Sequence, residues 1–288
     1  MRLTPFKEFS YQDIPTCLGR LRVRSYGEGT PIVFWSSLLM NGEMWLQQAY
    51  YFGKRYRVLL IDPPGHGDSQ ALTGPFTFEQ CAQCIVEVLD TLGITRAHYV
   101  GNSWGGMIGG TFVANYPERA GAAVLMNCTA SAAGLRHRIE FPLLSAIVRL
   151  MGGFRGPIVN TVVRAFTGVT SDKERPQVAE HIRNALKKCD KDSVAWAVES
   201  VVPRRPDQLA LMRKIRTPVL IVAGEEDRTF SVKETLAMAT AIPGAERVVM
   251  SRTGHLAALE CPDQVNRLIE RFLEERAASL TSLEPVTH

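Results

Sequence analysis

A chain of 288 residues, 45% hydrophobic and 22% charged, has the composition of a globular protein with a sizeable core, and its length fits one large α/β domain or two smaller ones. A net charge of +4 is too small to argue for nucleic acid, no Arg/Lys run is interleaved with aromatics, and no apolar run approaches the length of about eighteen residues that suggests a membrane span. Six cysteines are too sparse for a disulfide scaffold and read as reduced, buried thiols; with a start, Met1 to Glu8, that lacks the apolar centre of a leader peptide, a cytoplasmic protein is the expectation.

In chain order, Leu18 to Tyr26 reads as antiparallel strand material closed by Gly27-Glu28-Gly29. Pro31 to Trp35 and Val58 to Ile61 are short apolar runs, and the second ends at the tight turn Asp62-Pro63-Pro64-Gly65-His66-Gly67-Asp68-Ser69. A turn of that kind suits the carboxyl edge of a sheet, where α/β proteins place their sites. Thr77, with Gln80 at the reciprocal position, caps a helix whose Phe78, Cys81, Ile85, Val88, Leu89 and Leu92 keep helical spacing, and Gly93 ends it. Cys81 and Cys84 form a Cys-x-x-Cys inside that helix; no second pair exists, so neither a metal nor a redox centre is expected of them. Ala97 to Val100 and Ala122 to Met126 are further buried strands, and strand–helix alternation is the grammar of a parallel sheet with crossovers.

Near residue 130 the grammar changes. Helical segments are expected at Leu143 to Met151, Ile158 to Phe166, Gln177 to Lys188 and Ser193 to Val202, punctuated by Pro157, Gly168 and Pro203, with a capping box at Ser171 and Glu174. Strands resume at Val219 to Val222 and Arg247 to Met250. An amphipathic helix, Val265 to Leu273, precedes a polar tail, Arg276 to His288, expected to fray. The expected organisation is therefore an α/β core (1–130 and 215–288) interrupted by a helical insertion (131–214). Residues 131–215 carry 15 Lys or Arg against 8 Asp or Glu, which reads first as a solvated basic surface and second as a field attracting anions. Asn127-Cys128-Thr129 matches a glycosylation sequon, which carries no meaning in a chain that is not secreted.

Chemistry enters at Tyr99-Val100-Gly101-Asn102-Ser103-Trp104-Gly105-Gly106, where a serine sits between a strand and a buried helix with glycine two residues before and two after. A strand turning straight into a helix forces the serine into a strained conformation, and side chains at Gly101 or Gly105 would collide with neighbouring elements; this is the nucleophile elbow. A serine hydroxyl needs a base, and the base needs an orienting acid. Of His66, His98, His137, His181, His255 and His288, only His255 follows the last strand by a short loop, which a parallel sheet brings to the edge that carries the elbow. The acid falls in the loop after Val219 to Val222, where Glu225, Glu226 and Asp227 stand together and spacing does not choose among them.

From about residue 16 to 274, the chain resembles the α/β-hydrolase superfamily with a helical cap. The resemblance rests on Gly101-Asn102-Ser103-Trp104-Gly105-Gly106, Gly65-His66-Gly67-Asp68-Ser69, Gly224-x-x-Asp227 and Gly254-His255, in the right order and on the right elements. It implies a mostly parallel sheet flanked by helices, and it selects Asp227 as the acid of a Ser103–His255–Asp227 triad. Where many relatives carry His-Gly after the strand ending at Trp35, this chain has Ser36-Ser37 and then Leu38, which resembles the Asn-Ser-Leu of 3-oxoadipate enol-lactonases. The resemblance, which extends to cofactor-free haloperoxidase-like serine hydrolases, implies that the backbone N–H groups of Leu38 and Trp104 hold the oxyanion.

The expected function is hydrolysis of a small-molecule carboxylic ester or lactone through an acyl-enzyme, with no metal or organic cofactor. Two alternatives remain: carbon–carbon hydrolysis or perhydrolysis on the same triad, and a ligand-binding or signalling protein built on this fold, since fold alone does not set function. A serine at 103 disfavours epoxide hydrolase and haloalkane dehalogenase chemistry, which needs a carboxylate nucleophile. The Trp104 indole is compatible with either facing substrate or packing in the core, and the oligomeric state is not legible.

Overall fold

An eight-stranded sheet is the spine of the computed structural model, which describes residues 6–281. The strands are β1 (Ser10–Thr16), β2 (Gly19–Tyr26), β3 (Thr30–Trp35), β4 (Tyr56–Ile61), β5 (Ala97–Asn102), β6 (Ala120–Met126), β7 (Val219–Gly224) and β8 (Glu246–Met250). They lie side by side as β1-β2-β4-β3-β5-β6-β7-β8; β1 pairs with β2 and β2 with β4 antiparallel, and every pairing from β4 across to β8 is parallel. The runs Val33–Trp35, Leu59–Ile61, Val124–Met126 and Val219–Ala223 are buried throughout, as strands covered by helices on both faces must be.

The helices are α1 (Leu46–Phe52), α2 (Phe78–Thr91), α3 (Trp104–Asn115), α4 (Leu135–Leu150), α5 (Pro157–Phe166), α6 (Val169–Glu174), α7 (Pro176–Lys188), α8 (Lys191–Val201), α9 (Leu209–Met212), α10 (Val232–Ala241), α11 (Ala257–Glu260) and α12 (Pro262–Thr281). Helices α4 to α9 all fall between β6 and β7, where the sequence loses its strands. The last of them, α9, packs on α3 and α10, with Gln208 Nε2 donating to Thr111 Oγ1 at 2.7 Å and Met212 fully buried. No described helix is long and apolar enough to cross a membrane.

Seven strands stand where the apolar runs put them. β1 was not expected, because Ser10-Tyr11-Gln12-Asp13-Ile14-Pro15-Thr16 has one buried apolar residue, Ile14. It is an edge strand, where a proline costs little, and the cross-strand Asp13–Arg22 ion pair ties it to β2. The box at Thr77 forms reciprocally: the Thr77 amide donates to Gln80 Oε1 at 2.9 Å, and the Gln80 amide to Thr77 Oγ1 at 3.3 Å.

The box expected at Ser171 and Glu174 does not form. Ser171 lies inside α6 and donates to Glu260 Oε2 at 2.5 Å, while Glu174 pairs with Arg252. The capping box that does form, Ser231 with Glu234, heads α10. Two further bounds move. α4 begins at Leu135 and runs through Pro142, eight residues before its expected start; α12 continues to Thr281, past the point where fraying was expected. His288 lies outside the described residues.

Burial also sets an acid limit on stability. The imidazoles of His66 and His98 are pushed down to about 4, in both cases chiefly by burial. A base depressed in the fold stays neutral there while the unfolded chain protonates it near its ordinary value of about 6.5, so the unfolded state binds more protons between those limits. This contribution is therefore full above pH 6.5 and is lost as the pH falls to about 4. Chemical denaturation between pH 7 and 4.5 should show stability falling on acidification, and His98→Gln should flatten the slope by up to about 1.4 kcal/mol per pH unit. An unchanged slope would mean that His98 is not held neutral.

Candidate active site

Ser103 occupies the single residue between β5 and α3, with φ 57° and ψ −117°. A non-glycine residue in that region costs about 1–3 kcal/mol and persists only where its surroundings enforce it. Here the Ser103 amide donates to the Met126 carbonyl at 2.8 Å, and the Ser103 carbonyl accepts from Met107 N at 3.0 Å. The two glycines are required by close approach: a Cβ on Gly101 would strike the Gly105 carbonyl, and one on Gly105 would strike the carbonyl of Trp35. Because both obstacles are backbone, Gly105→Ala should cost roughly 3 kcal/mol or more, read as a shift of the urea midpoint at unchanged slope. A shift below 1 kcal/mol would show that the elbow can relax.

The sheet brings the three expected side chains together. The Ser103 hydroxyl donates to His255 Nε2 at 2.8 Å, and His255 Nδ1–H donates to Asp227 Oδ2 at 2.9 Å. The His255 and Asp227 side chains are each 1% exposed. Asp227 is fixed from its other oxygen, where Oδ1 accepts from Thr229 N at 2.7 Å and Phe230 N at 3.0 Å. The neighbouring carboxylates go elsewhere: Glu226 accepts from the Thr170 amide and hydroxyl, each at 2.7 Å, and Glu225 lies 3.4 Å from Arg252 N.

Leu38, in the loop after β3, lines the same cavity as Ser103, Trp104 follows Ser103 as the first residue of α3, and neither backbone N–H has a protein acceptor among the described residues. The loop that carries Leu38 is held by a histidine to which the sequence assigned no role. His66 Nδ1 is 2.9 Å from the Pro64 carbonyl and so carries the proton, leaving Nε2 to accept from Leu39 N at 3.0 Å. Leu39 sits at φ 69°, and its bond to the neutral ring holds that conformation. The turn around His66 is itself fixed by buried Asp62, which accepts from Gly42 N, Asp68 N and Arg24 Nη1 at 2.8, 2.9 and 2.8 Å.

Three more residues position the His255 loop. Asn102 and Asn127 both donate from Nδ2 to the His255 carbonyl, at 2.8 and 2.7 Å. Asn127, the sequon asparagine, is fully buried, with φ 49°, and accepts from Gly224 N at 2.7 Å, tying the acid loop to the same point. Buried Glu260 accepts from Gly254 N at 3.0 Å and Leu256 N at 3.1 Å on either side of His255, and from Gly168 N at 3.1 Å. The Asn102 and Asn127 bonds and the Gly168–Glu260 bond join residues 92 or more apart in the sequence. Trp104 resolves to the core: it is fully buried, edge-on to Trp35 with centroids 5.8 Å apart and stacked on Phe76 at 5.5 Å.

Ser103 and His255 open onto a cavity of about 280 Å³. Its walls are mainly apolar and largely supplied between β6 and β7, by Phe141, Leu144 and Val148 of α4, Val162 and Phe166 of α5, and Val194 and Val198 of α8. A serine bonded to a histidine, two unbonded amides and a mainly apolar chamber together suit acyl transfer.

A mostly parallel sheet whose carboxyl edge carries a strained serine after β5, an acid after β7 and a histidine after β8 defines the hydrolase class of α/β protein. Residues 30–146 match the family described as alpha/beta hydrolase fold, and residues 176–278 match the family described as TAP-like protein. A 2-hydroxy-6-oxononadienedioate/2-hydroxy-6-oxononatrienedioate hydrolase of Paraburkholderia phymatum is 30% identical over 256 residues, covering 86% of this chain and 85% of that one. The 3-oxoadipate enol-lactonase 2 of Acinetobacter baylyi is 26% identical over 243 residues, covering 84% and 88%. Among solved structures, a thermophilic esterase from Thermogutta terrifontis, malate-bound, superposes with a TM-score of 0.86 at 25% identity over 93% of this chain and 99% of that one. The enol-lactonase from Burkholderia xenovorans superposes at 0.82, 25% identity, over 92% and 100%. The chain belongs to the alpha/beta hydrolase fold family.

Proposed function

We propose that this protein hydrolyses a carboxylic ester or lactone through an acyl-enzyme formed on Ser103. The observation that carries the reading is the hydrogen-bonded line from Ser103 Oγ through His255 to Asp227 at the floor of an apolar cavity. Ser103 Oγ attacks the carbonyl carbon and passes its proton to His255 Nε2, while Asp227 holds the imidazole and offsets its charge. The negative charge that appears on the carbonyl oxygen is met by the N–H groups of Leu38 and Trp104, each worth roughly 3 kcal/mol at that stage. Collapse breaks the bond to the leaving oxygen, which takes the proton from His255. Water then attacks the acyl group, giving its proton to the same nitrogen, and the free acid leaves with Ser103 restored. In a lactone the leaving alkoxide stays attached to the acyl chain. The inserted helices of residues 131–214 act in this reading as a cap that roofs the chamber and limits substrate size.

A second reading has a specific observation behind it. The relative at 30% identity is named as a hydrolase of a 2-hydroxy-6-oxo dienedioate, a carbon–carbon cleavage, whereas the enol-lactonase is an oxygen-acyl hydrolase by name. The same serine, base and oxyanion donors serve both, and the leaving group differs: a stabilised carbanion in one, an alkoxide in the other. Pre-steady-state release of p-nitrophenol from a short-chain ester tests the first reading. A burst whose amplitude matches the enzyme concentration supports acyl-enzyme hydrolysis; inertness toward esters and lactones together with turnover of a vinylogous 1,5-diketone acid favours the second.

A further inference from the structure

Outside the triad, the cavity is lined by two arginines whose circumstances differ. Arg228 is neutralised, with Nη1 donating to Asp172 at 2.8 Å and to the carbonyls of Arg164 and Thr167. Arg205 is not. It is 5% exposed, its Nε donates to the Ser131 carbonyl at 2.9 Å, and its guanidinium carbon lies 5.3 Å from the centroid of the Phe230 ring. Among the described residues no carboxylate pairs with it, whereas its sequence neighbour Arg204 pairs with Glu199 at 2.5 Å. The comparison with Arg24 is sharper: that side chain is buried to the same degree, and both Asp62 and Asp68 pair with it. The one carboxylate that acts on Arg205, Glu234, does so through space without an ion pair; a buried cation with no bonded counter-charge is costly, and its retention at the wall of a reaction chamber suits an anion that comes and goes.

We propose that Arg205 is an anion subsite of this cavity and that the substrate carries a carboxylate which the guanidinium grips, remote from the carbonyl that Ser103 attacks. The inference rests on the hydrolase reading above and adds the chemical class of the substrate. The planar fork of a guanidinium matches a carboxylate in two parallel hydrogen bonds, and one unneutralised positive charge balances a monoanion; a phosphate dianion would leave net negative charge among apolar walls. Phe230 sets the scale. Its ring centroid is 5.3 Å from the Arg205 guanidinium carbon and 5.7 Å from the His255 ring centroid, so the guanidinium and the imidazole lie at most 11 Å apart. A short carboxylated chain spans that interval, and a long fatty acyl chain has no use for the charge. The hydroxyl of Ser145, which also lines the cavity and has no hydrogen-bond partner among the described residues, is a second uncommitted donor.

The test compares kcat/KM, after subtraction of spontaneous hydrolysis, for p-nitrophenyl half-esters of adipate and suberate and for p-carboxyphenyl butyrate. Each is set against its methyl-capped neutral counterpart, in the wild type and in Arg205→Met and Arg205→Lys. The wild type should prefer at least one anionic ester by about tenfold or more, the preference should collapse toward unity in Arg205→Met, and Arg205→Lys should keep part of it. Thermal melting adds a readout that does not depend on turnover: Arg205→Met should melt no lower than wild type, because it removes an unpaired buried charge. Hydrolysis of neutral esters with no anionic preference overturns the Arg205 assignment and leaves the hydrolase reading standing. So does a large drop in melting temperature in Arg205→Met, which would make the arginine a brace through Ser131. If every ester is inert, the ester reading falls, and calorimetric binding of adipate decides Arg205: binding lost in Arg205→Met supports the subsite, and no binding in wild type overturns it.

Discussion

Ser103→Ala is expected to lower kcat for a short-chain p-nitrophenyl ester by roughly 10⁶-fold and to abolish the pre-steady-state burst. The substitution removes the nucleophilic oxygen and little else. The strained backbone at φ 57° is held by bonds from the Ser103 amide and carbonyl to Met126 and Met107, which alanine keeps. Alanine also keeps the Cβ, so the elbow's close approaches to Trp35 and Gly105 are unchanged. The melting temperature should therefore stay near that of wild type, separating a chemical loss from a structural one. His255→Ala should cost about as much, and the double variant no more than either single one, because nucleophile and base act as one unit. Equal rates in wild type and Ser103→Ala would remove the acyl-enzyme, and with it the ester and lactone reading.

How far the site was legible depends on whether each role is written locally. The elbow is, because a strand, a serine, a helix and two glycines must follow one another within a few residues, and the structure shows the backbone carbonyls that exclude any Cβ at 101 and 105. His255 was legible by topology, since parallel strands deliver their following loops to one edge. The acid was legible only through the resemblance, which selects Asp227: by spacing Glu225, Glu226 and Asp227 look alike, and what separates them is where Thr170, Arg252 and His255 lie in space. The supports of the site were invisible for the same reason. Asn127 lies 128 residues from the carbonyl it holds, and Glu260 reaches 92 residues back to Gly168. His66 reads as one residue of a turn until its neutral ring is seen accepting the Leu39 amide. The Arg204-Arg205 pair reads as surface charge, and only burial tells the two apart. β1 and the long α4 failed differently, by breaking the rules used to find them: an edge strand that buries one residue, and a helix that runs through Pro142.

Asp227→Asn should lower kcat by roughly 10⁴-fold with little effect on folding, and the surrounding hydrogen bonds dictate why. In the wild type, Oδ1 accepts from the amides of Thr229 and Phe230 and Oδ2 accepts from His255 Nδ1–H. An asparagine has one oxygen to offer, and two backbone donors claim the Oδ1 position. Its NH2 must then face Nδ1, which can only accept, so the imidazole is forced into the tautomer protonated at Nε2. That nitrogen points at Ser103 Oγ, 2.8 Å away, and can no longer take its proton. The alternative orientation, oxygen toward His255, would set an NH2 against two backbone N–H groups in a site that is 1% exposed, and costs more. Nitrogen-15 chemical shifts of His255 should report the change of tautomer directly, and the residual rate should rise with pH as hydroxide replaces the lost base. A loss of less than tenfold, with His255 still protonated at Nδ1, would mean that the carboxylate neither orients the ring nor offsets its charge, and the acid of the triad would have to be sought elsewhere.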